Sequence, residues 1–273
     1  MKAVLSFAGS AVEVCAHGPR AVALMDFLFH QVPRDPGAKP HARFELSEAV
    51  GGLSLSIDDA VCFEGADDGT AGSVFVGEVM YQIACRSRGG LLFHAAALAH
   101  HGQSVLLPGK SRSGKTTLVA WLAAKGFDYL TDEMVFVPSG GTAIDAFSRP
   151  LQLRRASRPV IENLIGPLPA EAVQVGSAFD LILPAALRST VGIGRSDLAL
   201  IVFPQYEAAS PGELIRLSPA QAGLHLMEGL INARNLRAHG FPEVAALARQ
   251  VPAYRAAYSS FSQVEGELLC LLP

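Results

Sequence analysis

Residues 109–116 match the phosphate-binding loop pattern G-x-x-x-x-G-K-[ST]. Glycines in such a loop let successive backbone N–H groups turn inward and surround phosphate oxygens. Lys115 can reach the β- and γ-phosphates of a nucleotide, and Thr116 can place its hydroxyl on Mg²⁺. On its own, the motif predicts the binding of a nucleotide phosphate.

The residues on either side supply the strand and the helix that such a loop requires. Residues 104–108 form a short apolar run that predicts a buried strand. Apolar residues then recur at helical spacing over 118–125, and Gly126 supplies a stop signal. Strand, loop and helix together favour a true phosphate site over a chance match in a glycine-rich turn.

An acidic pair, Asp132 and Glu133, lies between two predicted strands soon after this helix. Phosphoryl transfer needs Mg²⁺ on the nucleotide and a carboxylate that orients or deprotonates the acceptor hydroxyl. The alternative is a solvated turn, and the phosphate loop upstream favours the functional interpretation. The apolar strand over 197–203 carries no acid at its end, so the pair supplies the candidate metal ligands near the loop.

His94 lies on a predicted apolar strand, one hairpin before the loop. A lone histidine on such a strand is often a core residue, and its position beside the loop makes a catalytic role equally plausible. Arg149, Arg154 and Arg155 surround another short strand, where they either clamp a phosphate or carboxylate or are ordinary surface residues. Residues 188–197, with two glycines, predict a mobile loop.

Composition narrows the class of protein. The formal net charge of -3 and the isoelectric point near 6.2 predict neither nucleic-acid nor anionic-membrane binding. No apolar stretch approaches the roughly 20 residues of a membrane span, and one lysine before an early Glu13 makes a poor signal peptide. The scattered Cys15, Cys62, Cys85 and Cys270 fit free thiols, so we expect a cytoplasmic protein.

The chain has two parts with different patterns. Residues 1–88 contain short apolar segments broken by Gly, Pro and Asp, which predict short strands and turns with helices over 20–30 and 74–87. Residues 89–273 form a separate predicted α/β unit, in which a hairpin turns at 100–103 and leads into the loop. Further predicted elements are a buried strand over 197–203, helices over 218–239 and 242–250, and a strand over 253–259. His225 is interpreted as a core or helix-surface histidine.

Residues 93–98, the hairpin, residues 109–116 and residues 130–133 together resemble the HPr serine kinase/phosphorylase family. The likeness is to its bacterial HPr-kinase-related members, some of which accompany lasso-peptide biosynthesis and phosphorylate a peptide hydroxyl. The resemblance implies an α/β fold: a P-loop kinase domain of the HPr kinase/phosphoenolpyruvate carboxykinase type over 89–273, preceded by a small α+β domain over 1–88.

The resemblance also implies roles for particular residues. Asp132 matches the general base toward the acceptor serine, Glu133 stands where the family has a second, metal-binding Asp, and His94 matches a histidine near the active site. The segment implied to bind ATP and Mg²⁺ is Gly109, Lys110, Ser111, Arg112, Ser113, Gly114, Lys115, Thr116 and Thr117. The family's later Leu-Glu-x-Arg-Gly signature has no clear match, which argues against HPr itself as substrate and against the phosphorylase reaction.

The sequence therefore predicts an ATP-dependent kinase that phosphorylates a hydroxyl. The favoured acceptor is a serine of a peptide or protein. Lys115 would neutralise phosphate charge, Thr116 would hold Mg²⁺ with Asp132 or Glu133, and Asp132 would accept the hydroxyl proton. Two alternatives stay open: a regulatory nucleotide-binding module without turnover, and a small-molecule kinase. The true HPr kinases assemble into oligomers, so a homo-oligomer is also open.

Overall fold

The computed structural model describes residues 1–109, 113–187 and 194–272. It is a mixed α/β structure that divides into two compact units. The first unit comprises Met1–Arg88 and Ser148–Ala186, and the second comprises Gly89–Phe147 and Leu187–Pro273. The division after residue 88 agrees with the sequence, but the sequence placed residues 148–186 in the second domain.

The elements are numbered along the chain. The strands are β1 (Lys2–Phe7), β2 (Ser10–His17), β3 (Arg43–Ala49), β4 (Gly52–Ile57), β5 (Ala60–Gly65), β6 (Gly90–His100), β7 (Gln103–Pro108), β8 (Asp128–Thr131), β9 (Met134–Pro138), β10 (Ala143–Ala146), β11 (Leu151–Arg154), β12 (Val173–Val175), β13 (Phe179–Ile182), β14 (Ser196–Tyr206), β15 (Glu213–Arg216) and β16 (Ala253–Tyr258). The α-helices are α1 (Pro19–Phe29), α2 (Asp68–Arg86), α3 (Lys115–Ala124), α4 (Arg158–Ile165), α5 (Pro219–Gly229), α6 (Phe241–Gln250) and α7 (Phe261–Leu271).

The first unit pairs its strands in the order β1-β2-β3-β4-β5, with a smaller sheet in the order β11-β13-β12. Helix α2 begins six residues before the predicted start, because Asp67 caps it by accepting a hydrogen bond from the Thr70 N–H at 2.6 Å. A stop at Arg86 agrees with the sequence to within one residue.

Two glycines of α2 explain why residues 148–186 fold with the first unit. A Cβ built on Gly69 would lie 2.3 Å from the backbone of Val175, and one on Gly72 would lie 2.7 Å from the Leu181 side chain. Beside them, the Thr70 hydroxyl bonds to Ser177. The small sheet thus packs against a face of α2 where a residue larger than glycine would clash. The residues in contact are about 100 positions apart in the chain, so local composition does not reveal their packing.

The second unit has a sheet in the order β10-β9-β6-β7-β14-β16-β15, with β8 also paired to β6. Strands β7, β14 and β16 run parallel, and β6 joins β7 as an antiparallel hairpin. The predicted hairpin is confirmed: His101 and Gly102 form its tip, both with positive φ, as a tight two-residue turn requires.

Helices cover both faces of this sheet. Leu226 of α5 and Val244 of α6 pack on one face with Phe93 and Ile201, while Trp121 of α3 meets Phe261 of α7 at a ring separation of 5.8 Å. Trp121 is therefore a buried packing residue. Among the described residues, none of the helices is long and apolar enough to cross a membrane.

Helix α5 ends at residue 229, ten residues before the predicted end of a helix over 218–239. The helix ends before Leu230 because the side chain of Asn232 bonds to the backbone of β6. Its buried side-chain oxygen accepts a hydrogen bond from the Leu92 N–H at 2.9 Å, and its amide donates to the Gly90 carbonyl at 3.0 Å. Local sequence contains no sign of these partners, about 140 residues away in the chain.

Candidate active site

The candidate phosphate-binding loop connects a strand to a helix, and its binding role stays a prediction. Strand β7 ends at Pro108 and α3 begins at Lys115, so the loop leaves the carboxyl end of a strand that runs parallel to β14. Ligands of open α/β sheets bind at such carboxyl ends. Lys110, Ser111 and Arg112 lie outside the described residues, and their nucleotide-binding roles stay predictions.

Both described glycines of the loop are closely surrounded. A Cβ on Gly109 would lie 2.9 Å from the Ser113 hydroxyl oxygen. Gly114 has a φ of +88°, and a Cβ there would lie 2.8 Å from the Tyr258 hydroxyl. The backbone at both positions can therefore approach a ligand only without side chains, as a phosphate loop requires.

Two buried hydroxyl groups line this loop without a hydrogen-bond partner in the described part of the chain: those of Ser113 and Tyr258. Burial raises the pKa of the Tyr258 phenol, so it remains a protonated donor. An unpaired buried hydroxyl costs about 1–3 kcal/mol. Both groups fit a ligand that offers oxygen acceptors, as the phosphates of a nucleotide do.

Lys115 opens helix α3 and is 7% exposed. Its ammonium donates a hydrogen bond to the Gly109 carbonyl within the loop. Burial lowers the pKa of Lys115, while the negative charges of Glu133 and, more weakly, Asp132 raise it. The lysine of the loop and the acidic pair therefore share one electrostatic environment.

The acidic pair interrupts a chain segment that runs antiparallel along β6. Before the break β8 pairs with the second half of β6, and after it β9 pairs with the first half. Asp132 is 2% exposed and accepts a hydrogen bond from the Tyr129 hydroxyl at 3.2 Å. The Thr131 hydroxyl donates to the Phe147 carbonyl at 2.8 Å and receives the Glu133 N–H at 3.3 Å. Buried and hydrogen-bonded, Asp132 is not part of a solvated turn.

His94 is not enclosed in the core. Its Nδ1 lies 2.9 Å from Oε1 of Glu133, and its side chain is 35% exposed. The register of β6 and β9 explains the contact, because His94 pairs with Met134 and so lies beside the preceding residue. The structure joins His94 to the acidic pair, while its catalytic role stays a prediction.

The metal prediction concerns Thr116, Asp132 and Glu133. Thr116 and Thr117 occupy the first turn of α3 and are half-buried. In the described ranges, no three His, Cys, Asp or Glu residues form a metal-binding group. Mg²⁺ is usually held by one or two carboxylates together with substrate phosphates. One hydroxyl at the start of α3 and two neighbouring carboxylates are donors of this kind, and their metal role stays a prediction.

The arginines near the predicted short strand belong to the first unit. Arg149 is 1% exposed and donates to the Pro150 carbonyl at 3.2 Å, whereas Arg154 and Arg155 are exposed. Their predicted clamping of a phosphate or carboxylate stays a prediction. Residues 188–193 of the predicted mobile loop lie outside the described residues.

A pocket of about 400 Å³ adjoins the loop within the second unit. Its lining includes Gly109 and Ser113 of the loop, His94, Phe203 and Arg255 of the sheet, and His225 of α5. Sequence reasoning missed Arg255 and assigned His225 to the core or helix surface. A charged residue within the otherwise uncharged strand β16 was the one local signal for Arg255.

Comparisons with known proteins add little to this geometry. No protein-family model matches the chain, and no curated protein matches it. Among solved structures, the HPr(Ser) kinase/phosphatase from Coxiella burnetii matches with 10% sequence identity and a TM-score of 0.32, over 66% of this chain and 97% of that one. A likeness at this TM-score does not establish a shared function, so the proposed function depends on the chain's own residues.

Proposed function

We propose that the second unit is an ATP-dependent kinase that transfers a phosphoryl group to a serine hydroxyl of a peptide or protein. The observation that carries the proposal is that the loop and the acidic pair adjoin opposite edges of one strand: β7, which leads into the loop, pairs with one edge of β6, and the segment bearing Asp132 and Glu133 runs along the other. A phosphate-loop lysine and a carboxylate that can receive a hydroxyl proton are the parts that this chemistry requires.

The residues divide the work as follows. The backbone N–H groups of the loop and the Lys115 ammonium bind the phosphates and neutralise their charge. Asp132, fixed by Tyr129, accepts the proton of the acceptor hydroxyl. His94 holds the Glu133 carboxylate through their 2.9 Å contact. No covalent intermediate is involved, so positioning and electrostatics account for the rate.

Mg²⁺, when bound with the nucleotide, would offset phosphate charge in the transition state. Thr116 would hold it through its hydroxyl, together with Glu133 or Asp132. The sequence-based alternatives, a regulatory nucleotide-binding module and a small-molecule kinase, differ from this proposal in turnover and in acceptor.

The proposal is tested by incubating the protein with radiolabelled Mg-ATP and a library of serine peptides. We expect transfer to serine, its loss in Lys115→Ala, and a reduction of about 10²–10⁴-fold in Asp132→Asn, the range typical of a general base. Asp197→Asn is the matched control, because this exposed residue lies at the opposite end of the parallel strands. It should transfer at the wild-type rate.

Two outcomes would contradict the proposal in different ways. Transfer at the wild-type rate by Asp132→Asn, with none by Lys115→Ala, would show that Asp132 is not the base. ATP binding without turnover on any serine peptide would instead support the regulatory module.

A further inference from the structure

Arg255 is a half-buried cation in the middle of β16, beside the candidate active site. Its neighbours on the two adjoining strands are Phe203 of β14 and Ile215 of β15, both apolar. Within the described ranges, its guanidinium makes neither an ion pair nor a hydrogen bond. Partial burial of an unpaired charge costs free energy. The position of the Arg255 guanidinium therefore suggests that a bound ligand supplies the opposite charge.

The pocket beside the loop connects this arginine to the phosphate site. Gly109 and Ser113 line one part of it and Arg255 another, with His225 packed on Phe203 at a ring separation of 5.2 Å. Its volume of about 400 Å³ is in the range of small-molecule sites and suits a short piece of a peptide. A group bound here would lie next to the end of the loop where transfer is proposed.

We propose that this pocket holds the acceptor and that Arg255 binds a carboxylate carried close to the reacting hydroxyl. This inference rests on the proposed kinase function and names the chemistry of its substrate. The nucleotide phosphates already have the loop amides and Lys115, so a cation on another strand serves a different anion. A guanidinium binds a carboxylate through two parallel hydrogen bonds, and such a contact fixes orientation as well as position.

The other charged groups of the pocket limit what this anion is. Glu228 also lines the pocket and takes part in a contact of its own. Its negative charge disfavours a multiply charged ligand such as a second nucleotide and is compatible with a single carboxylate. That carboxylate can belong to an acidic side chain beside the serine or to the carboxyl terminus of a peptide.

Calorimetric titration of short serine peptides onto the full chain, in the presence of a non-hydrolysable Mg-ATP analogue, distinguishes these sources. One pair is acetyl-Asp-Ser-amide against acetyl-Asn-Ser-amide, and the other is acetyl-Ala-Ser with a free carboxylate against its amide. We expect the charged member of at least one pair to bind about tenfold more tightly, a difference of about 1.4 kcal/mol.

Three variants test whether Arg255 is responsible. Arg255→Gln should abolish the preference for the charged peptide, and Arg255→Lys, which keeps the charge without the forked geometry, should retain part of it. Arg249→Gln is the matched control, because Arg249 is exposed on α6 and outside the pocket, and it should leave the preference unchanged. A charged peptide that binds Arg255→Gln as well as it binds the wild type would overturn the proposal.

The failure of this inference is separable from the failure of the kinase proposal. Lys115→Ala should no longer bind the Mg-ATP analogue. Titrated with the peptides in the absence of nucleotide, the same variant should keep the preference for the charged peptide. A preference that depends on Arg255, found without any phosphoryl transfer, would refute the kinase and leave the carboxylate site. Equal binding of both members in both pairs, including no binding by any peptide, would refute the carboxylate site.

Discussion

At the residue scale, the candidate site depends on a small number of tight contacts around the phosphate loop. Gly114 combines a positive φ with the Tyr258 hydroxyl directly against it, so both its backbone and its surroundings exclude a side chain. Lys115 follows it at the start of α3 and is held against the loop by the Gly109 carbonyl. These contacts fix the two described ends of the loop relative to each other.

Gly114→Ala should therefore destabilise the protein by roughly 1–3 kcal/mol, the usual cost of a strained backbone conformation, and should weaken nucleotide binding. Adding Tyr258→Phe should restore part of the loss, because it removes the clash and leaves the φ strain. The control is Gly77→Ala on the exposed face of α2, where a Cβ meets nothing within 4 Å. Chemical denaturation should show this change to be stabilising, by about 0.5–1 kcal/mol. Equal effects at the two glycines would contradict the argument.

At the element scale, the sequence predicts those helices and strands whose limits depend on neighbouring residues. The strand, loop and helix over 104–125 and the acidic pair between two strands follow from periodicity and motif. Helix α5 does not, because Asn232 ends it by bonding to β6 far away in the chain. Arg255 and His225 meet the loop only when parallel strands and α5 assemble, so no spacing in the sequence announces their pocket.

Asn232→Ala should lower the free energy of unfolding, because it removes these long-range hydrogen bonds. It leaves the Leu92 N–H and the Gly90 carbonyl buried without their side-chain partner, at about 1–3 kcal/mol for each group. We expect a lower unfolding midpoint in urea and faster hydrogen exchange at the Leu92 amide. Gln250→Ala, at an exposed position that ends α6, should change neither quantity. An unchanged Leu92 exchange rate in Asn232→Ala would mean that Asn232 does not hold β6.

At the scale of the whole molecule, the chain is not two consecutive domains. The segment over 148–186 leaves the second unit, completes the first, and returns. The sequence predicted the break near residue 88 from a change of pattern. It could not predict the return, because the partner surface is the glycine face of α2.

A fragment spanning 89–273 should accordingly be less stable than its length suggests. It keeps β11, β12 and β13 and removes the helix on which they pack, so it exposes apolar residues such as Leu181 and Ile182 that the full chain buries. We expect increased binding of a hydrophobic dye and protease cleavage within 148–186. The comparison is the same fragment with 148–186 replaced by a short glycine-serine linker, which should bind less dye. Dye binding at the level of the full chain by the first fragment would contradict this division.

Strand β6 has the phosphate loop's strand on one edge and the acidic pair on the other. Neighbouring strands lie about 4.8 Å apart, so the sheet itself separates the proposed donor site from the proposed base by roughly two such steps. The gap across which a phosphoryl group would travel is thus as rigid as the hydrogen-bond ladder that defines it. Under the proposed function, substitutions in the pocket walls could therefore change the acceptor without changing the distance for transfer, because that distance is set by the sheet.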